Sequence, residues 1–235
     1  MENLDRVALV TGANKGIGRG IVAGLVSKGF QVILASRDLD KGLRTQEELK
    51  TDGMIVDCIQ LDVTKLDSIK QAVAIVAEKY QKLDILVNNA GIVLDDDLDS
   101  TNLTDEILHE TMNVNLYGAY RVTREFLNLI RNGSDSRIIN MSSGMGSLTS
   151  MGSGNLAYRV SKTALNAMTK VLAEELKHDG INVYTMSPGW VKTDMGGPGA
   201  TKSIEEGADT AIWLATENPA PETGLFYEER QRLAW

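Results

Sequence analysis

Apolar residues along the chain follow two alternating patterns. Short, nearly continuous runs read as β-strands covered on both faces: RVALV (6–10), FQVILAS (30–36), IVDCIQL (55–61), LDILVNN (83–89), SRIINMS (136–142) and INVYTMS (181–187). Between them, apolar residues recur at helical spacing over 16–28, 39–50, 65–80, 104–130 and 157–178. A last helix over 203–216 and a short strand around Leu225–Tyr227 close the pattern. Asp67 and Asp105 stand near helix starts, and Gly29, Gly133 and Gly180 follow helix ends, the expected punctuation. Strands alternating with helices predict an α/β fold: a doubly wound parallel sheet of about seven strands, helices on both faces, joined by right-handed crossovers. No Pro-rich or Ser-rich linker, repeat or low-complexity block interrupts it, so residues 1–235 are expected to form a single domain. Ligands in such sheets bind beyond the carboxyl ends of the strands, which directs attention to the residues just after each one.

Composition narrows the partners. The 235 residues are 43% hydrophobic and 24% charged, with a formal net charge of -8. That balance argues against general binding to nucleic acid or to an anionic membrane. Cys58 is the sole cysteine, so no intramolecular disulfide forms and a reducing, cytoplasmic setting is expected. The first apolar run, VALV, is too short for a signal peptide. The charge-free stretch 138–158 is crowded with Ser, Gly and Asn, which makes a membrane span improbable. His109 and His178 are isolated, so no metal site is expected.

The candidate chemistry begins with TGANKGIG, directly after VALV, with Gly12, Gly16 and Gly18. Glycines here let the turn tighten and let backbone approach a pyrophosphate at a helix N-terminus. An NAD site usually places an acid after the second strand to hold the ribose 2′-hydroxyl. This chain has Ala35-Ser36-Arg37, and Lys15 stands in the glycine turn. Two cations suit a 2′-phosphate, so NADP(H) is expected in preference to NAD(H). Asp38, next to Arg37, would either neutralise it or bind a ribose. Asp62, after the third strand, is placed to accept from an adenine amino group or to serve only as a turn residue. NNAG (88–91) forms another turn at the same edge, where an Asn can tie neighbouring strands together. Further on, Tyr158 and Lys162 lie four apart and share one helix face. Either they are a packing phenol and a snorkelling ammonium, or the ammonium exists to make the phenol a better acid.

TGANKGIG, Asp62-Val63, NNAG, NVNLYG, Ser142-Ser143, YRVSK and SPGWVKT, in that order, resemble the short-chain dehydrogenase/reductase family over essentially the whole chain. The nearest likeness is to the carbonyl reductases, through TGANKGIG, the ASRD segment and GWVKTDMGGPGATKSIEEGA. The resemblance implies a Rossmann-type sheet and hydride transfer from NADPH to a ketone or aldehyde carbonyl, reversible as a secondary-alcohol dehydrogenase. It implies Tyr158 as general acid and Lys162 as the group that lowers its pKa and bonds the nicotinamide ribose. It implies Ser143 as hydrogen-bond donor to the substrate oxygen, with Ser142 the competing candidate, and Asn115 as holder of a proton-relay water, with Asn113 beside it. Cofactor contacts are implied for Gly12, Asn14, Lys15, Gly16, Ile17, Gly18, Arg37, Asp62, Val63, Asn89, Ala90, Gly91, Tyr158, Lys162, Pro188, Gly189, Val191 and Thr193.

The loop KTDMGGPGATKS (192–203) reads as a lid over cofactor and substrate. Trp190, Met145, Leu148, Met151 and Met195 would either line an apolar pocket or belong to core or interface. With no basic residue clearly placed for a carboxylate, the expected substrate is a neutral, hydrophobic carbonyl or alcohol. Monomeric carbonyl reductases look to carry a helical insertion before the catalytic Tyr, which this chain lacks. A homotetramer or homodimer is therefore expected, paired through the helices at 104–130 and 157–178. The acidic run Asp95-Asp96-Asp97, with Asp99, reads as a solvated loop. The alternatives are a specialised 3-oxoacyl, sugar or steroid reductase of the same family, and a non-catalytic NADP-sensing protein.

Overall fold

The computed structural model describes residues 6–96 and 98–235. Its sheet has eight strands in the order β3-β2-β1-β4-β5-β6-β7-β8: β1 (Val7–Thr11), β2 (Gln31–Ser36), β3 (Asp57–Gln60), β4 (Ile85–Asn88), β5 (Arg137–Met141), β6 (Asn182–Met186), β7 (Phe226–Glu228) and β8 (Gln231–Leu233). All neighbours pair parallel except β7 and β8, which form an antiparallel hairpin at the edge. The sheet thus has one strand more than the sequence predicts. Gln231-Arg232-Leu233 offers a single apolar residue, and at the edge it has one neighbouring strand and stays largely exposed.

The helices are α1 (Gly16–Ser27), α2 (Leu39–Thr51), α3 (Leu66–Tyr80), α4 (Asp105–Met112), α5 (Ala119–Arg131), α6 (Leu156–Glu175) and α7 (Ile204–Thr216). They cover both faces, and the alternation within β1 shows how. Val7 and Leu9 pack with Ile69 and Val76 of α3 and Val122 and Phe126 of α5. Ala8 and Val10 point the other way, to Ile21 and Leu25 of α1 and Leu214 of α7. Every residue of β1 is buried, which is why the strand reads as an unbroken apolar run.

The helical stretch expected at 104–130 is continuous in path, but α4 and α5 are joined through a π-helical segment, Asn113–Gly118. A Cβ on Gly118 would stand 2.8 Å from Val63 Cγ2, so only glycine lets this segment approach the end of β3 so closely. Strand order reverses between β1 and β4, each followed by a turn at its carboxyl end. The cleft opens at this switch point.

Candidate active site

The turn after β1 is built for close approach. Gly12 and Gly16 have φ of +63° and +55°, in the left-handed region that favours glycine. A Cβ on Gly18 would lie 2.5 Å from Asn89 Nδ2 and 2.8 Å from the Gly12 carbonyl oxygen. Asn89 Nδ2 donates to the carbonyls of Thr11 and Gly12, so it ties the turn after β4 to that after β1. Asn88 Nδ2 donates to Asn140 Oδ1 of β5 and to Thr123 of α5. The NNAG asparagines therefore hold neighbouring elements together, as read from the sequence.

A cleft of about 780 Å³ runs over this edge. Its wall brings together Gly12, Asn14, Lys15, Gly16, Ile17 and Gly18 with Arg37, Asp62, Val63, Asn89, Ala90 and Gly91. Tyr158, Lys162, Pro188 and Thr193 close the far side. The residue preceding α1, Lys15, makes no side-chain cap, and the first turn holds no acid, so its backbone N–H groups stay available to an anion. The glycine cradle, the open helix N-terminus and two cations fit a phosphorylated dinucleotide.

Asp38 does not neutralise Arg37. Its side chain caps α2 by accepting from Lys41 N at 3.1 Å, and the same contact holds its carboxyl below the usual range. Lys15 Nζ pairs at 2.6 Å with Asp194 of the 192–203 loop, and the Lys15 hydrogen bond holds the Asp194 carboxyl down. Asp62 Oδ1 accepts from the Thr64 N–H and hydroxyl, so one carboxylate oxygen shapes the turn while the residue lines the cleft.

Tyr158, in the first turn of α6, stands beside Ser143, whose hydroxyl is aimed at the phenol oxygen as donor and accepts from Met145 N. Ser142 is buried and its hydroxyl donates to the Lys162 carbonyl; it lines the cleft, whereas Ser143 lines the second cavity. Burial pushes the Tyr158 phenol up, and the Ser143 bond draws it partly back. Lys162 is 3% exposed; its Nζ lies 5.5 Å from the Tyr158 ring centroid and donates to the Met141 carbonyl at 2.7 Å. Burial lowers this ammonium to about 8. The phenol is thus raised, not lowered, because its own desolvation outweighs the Ser143 bond.

Asn115 sits buried in the π-helical segment. Its Oδ1 accepts from Ile92 N at 2.8 Å, and its Nδ2 donates to the Ile92 carbonyl and to Ser161 Oγ. The point where a Cβ on Gly91 would stand is 3.4 Å from both Asn115 Oδ1 and Lys162 Nζ, so both face the same spot. Asn113, its neighbour, instead accepts from Arg121.

A second cavity of about 600 Å³ adjoins the cleft at Tyr158 and is lined by Ser143, Gly144, Met145, Gly189, Trp190 and Val191, among others. Met195 lines both cavities. Val191 turns its side chain to α7, where a Cβ on Gly207 would meet it at 2.5 Å, so what it offers the cavity is backbone. Leu148 and Met151 are exposed outside it. The 192–203 loop folds back on itself through the Lys192 N–H to Lys202 carbonyl bond, and its Thr193 methyl lies 3.3 Å from a Cβ built on Gly16. It thereby touches the glycine turn.

One buried neighbour of Tyr158 escaped the sequence reading. Asp95 is 1% exposed rather than solvated, and its Oδ2 accepts from the backbone N–H of Ala157 and Tyr158. Asp96 and Asp99 are exposed, and Asp97 lies outside the described residues. Nothing in a run of acids signals which one turns inward.

Residues 6–203 match the family model for short chain dehydrogenase. Carbonyl reductase [NADPH] 1 of Mus musculus is 33% identical over 283 aligned positions, with 100% of each chain covered. The (+)-neomenthol dehydrogenase of Arabidopsis thaliana is 34% identical, with 98% of each covered. Among solved structures, the NADPH-bound carbonyl reductase from chicken fatty liver superposes with a TM-score of 0.89 at 31% identity, over 98% of this chain and 99% of that one.

Proposed function

From the premise that the chain belongs to the short-chain dehydrogenase family, we propose that it reduces neutral, hydrophobic ketones or aldehydes with NADPH. The observation that carries this reading is Tyr158 where the two cavities meet, with Ser143 beside it in the second cavity and the Lys162 ammonium buried next to it. Bound in the cleft, reduced nicotinamide supplies the hydride that adds to the carbonyl carbon. The proton is this chain's part. Tyr158 donates it to the carbonyl oxygen, and a phenol raised by burial is fully protonated near neutrality, the state that reduction requires. The Ser143 hydroxyl donates a hydrogen bond to that oxygen and, with the Lys162 ammonium, stabilises the charge that grows there. Lys162, anchored on the Met141 carbonyl, would also bond the nicotinamide ribose.

Arg37 and Lys15 would hold the 2′-phosphate, and Gly12, Gly16 and Gly18 the pyrophosphate. Asp62 and Val63 would bound the adenine; Pro188, Gly189, Val191 and Thr193 the carboxamide end. Asn115 clamps the loop against which the nicotinamide would rest, and its carbonyl oxygen faces the spot where a relay water would sit. The NADPH named for the mouse and chicken carbonyl reductases supports the cofactor reading. The 192–203 loop acts as the lid. Among the described residues no helix is long and apolar enough to cross a membrane, and the proposed setting is the cytoplasm. Exposed Tyr117, Tyr120, Val160 and Val171 on the segment entering α5, on α5 and on α6 support a homodimer or homotetramer.

The test follows nucleotide absorbance with NADPH and NADH against a panel of hydrophobic ketones and aldehydes. NADPH-dependent turnover supports the proposal. NADH-dependent turnover overturns the 2′-phosphate clamp, and tight NADPH binding without turnover favours the sensor reading.

A further inference from the structure

The start of α6 presents a puzzle of capping. Its Ncap residue, Asn155, has φ of +50° and makes no side-chain cap bond. Yet Tyr158, the proposed acid, stands in this first turn, where backbone N–H groups lack partners within the helix and ends fray. The missing cap comes from sixty residues away. Asp95 Oδ2 accepts from Ala157 N at 2.6 Å and Tyr158 N at 3.4 Å. Asn155 returns the contact: its Nδ2 donates to the Asp95 carbonyl and, at 3.0 Å, to Asp96 Oδ1.

The arrangement is costly in a way that asks for a reason. Asp95 is 1% exposed and has no ion-pair partner among the described residues; its other oxygen, Oδ1, is buried without a hydrogen bond. The positive end of the α6 dipole is what compensates the charge. A buried acceptor left half satisfied calls for an explanation, and it stands one helical turn from the chemistry. The segment carrying Asp95 is fixed at both other ends: Asn89 holds it to the turn after β1, and Asn115 holds Ile92. The same segment lines the cofactor cleft from Asn89 to Leu94.

We propose that Asp95 is a positioning residue, which sets the acid Tyr158 against the cofactor-lining loop by capping α6 from across the site. The inference rests on the reductase reading for its kinetic consequence, but not for the cap itself. An N-terminal cap changes the ordering of a first turn by roughly five- to thirtyfold. An acid so placed loses activity in similar measure when its turn frays.

The test compares Asp95→Ala and Asp95→Asn with the wild type. Asn keeps an acceptor for the two N–H groups and loses the charge. Amide hydrogen exchange at Ala157 and Tyr158, measured without substrate, is expected to speed up roughly five- to thirtyfold in the Ala variant and to recover in Asn. Carbonyl-reduction kcat should fall by a similar factor in Ala and recover in Asn, while NADPH Kd stays within about threefold because Asn115 still holds the loop. A merely structural contact would lower the melting temperature and leave kcat of the folded enzyme unchanged, and that result would overturn the proposal. So would unchanged exchange at Tyr158 in the Ala variant. A wild type that reduces no carbonyl would contradict the reductase reading, and the exchange comparison would still decide for or against the cap.

Discussion

Lys162 gives a prediction whose size can be worked from the structure. The side chain is 3% exposed, its ammonium has the Met141 carbonyl as partner at 2.7 Å, and it forms no ion pair among the described residues. Burial lowers its pKa from the ordinary 10.5 to about 8. Between these values the unfolded chain holds a proton that the folded chain has released. Stability therefore rises with pH through this window, and below it the burial cost is carried in full. The gap corresponds to about 3 kcal/mol. Replacing Lys162 with Met keeps an unbranched side chain and removes the charge. Urea unfolding of both proteins, from neutral pH to the alkaline end of that window, isolates the effect, because other titrating groups cancel in the difference. The wild type should gain about 3 kcal/mol on the variant across the series, and be the less stable of the two at neutral pH. A difference that does not change with pH would refute the reasoning, for it would mean that the ammonium is solvated in the folded protein.

Two further outcomes follow from the cofactor cleft. Arg37→Asp is expected to move preference from NADPH toward NADH, read as the ratio of kcat/KM for the two nucleotides; an unchanged ratio would exclude Arg37 from the 2′-phosphate site. Asp194→Asn frees Lys15 from an exposed pair, with side chains 68% and 80% accessible. Since such pairs are weak, NADPH Kd should tighten by no more than about fivefold while NADH Kd holds steady. Equal changes for both nucleotides would show that the lid contact, and not competition for Lys15, had been altered.

Much of this was legible in the sequence, for identifiable reasons. Strands buried on both faces are predominantly apolar, so β1, β2 and β4 to β6 announce themselves. The glycine turn, with Gly12 and Gly16 at positive φ, follows from backbone conformations that other residues rarely adopt. The Tyr158–Lys162 spacing is a property of any helix. What stayed hidden depends on tertiary packing. Strand β8 has one apolar residue and exists by pairing with β7. The π-helical turn carrying Asn115 depends on Gly118 meeting Val63. Asp95 caps a helix to which it is remote in sequence, and its acidic neighbours disguise it. The upward displacement of the Tyr158 phenol reflects burial, whereas spacing alone displays the nearby ammonium and suggests the opposite sign.

The central claim is that Tyr158 delivers the proton while NADPH delivers the hydride. It is tested most directly by loading the enzyme with NADPH, mixing it with a reactive ketone, and following one turnover through nucleotide absorbance in the wild type and Tyr158→Phe. Cofactor Kd is measured for both by fluorescence titration. The account predicts oxidation of bound NADPH in the wild type and a rate about 10²–10⁴-fold lower in the variant, with Kd changed only a few-fold. Turnover at the wild-type rate in Tyr158→Phe would contradict it.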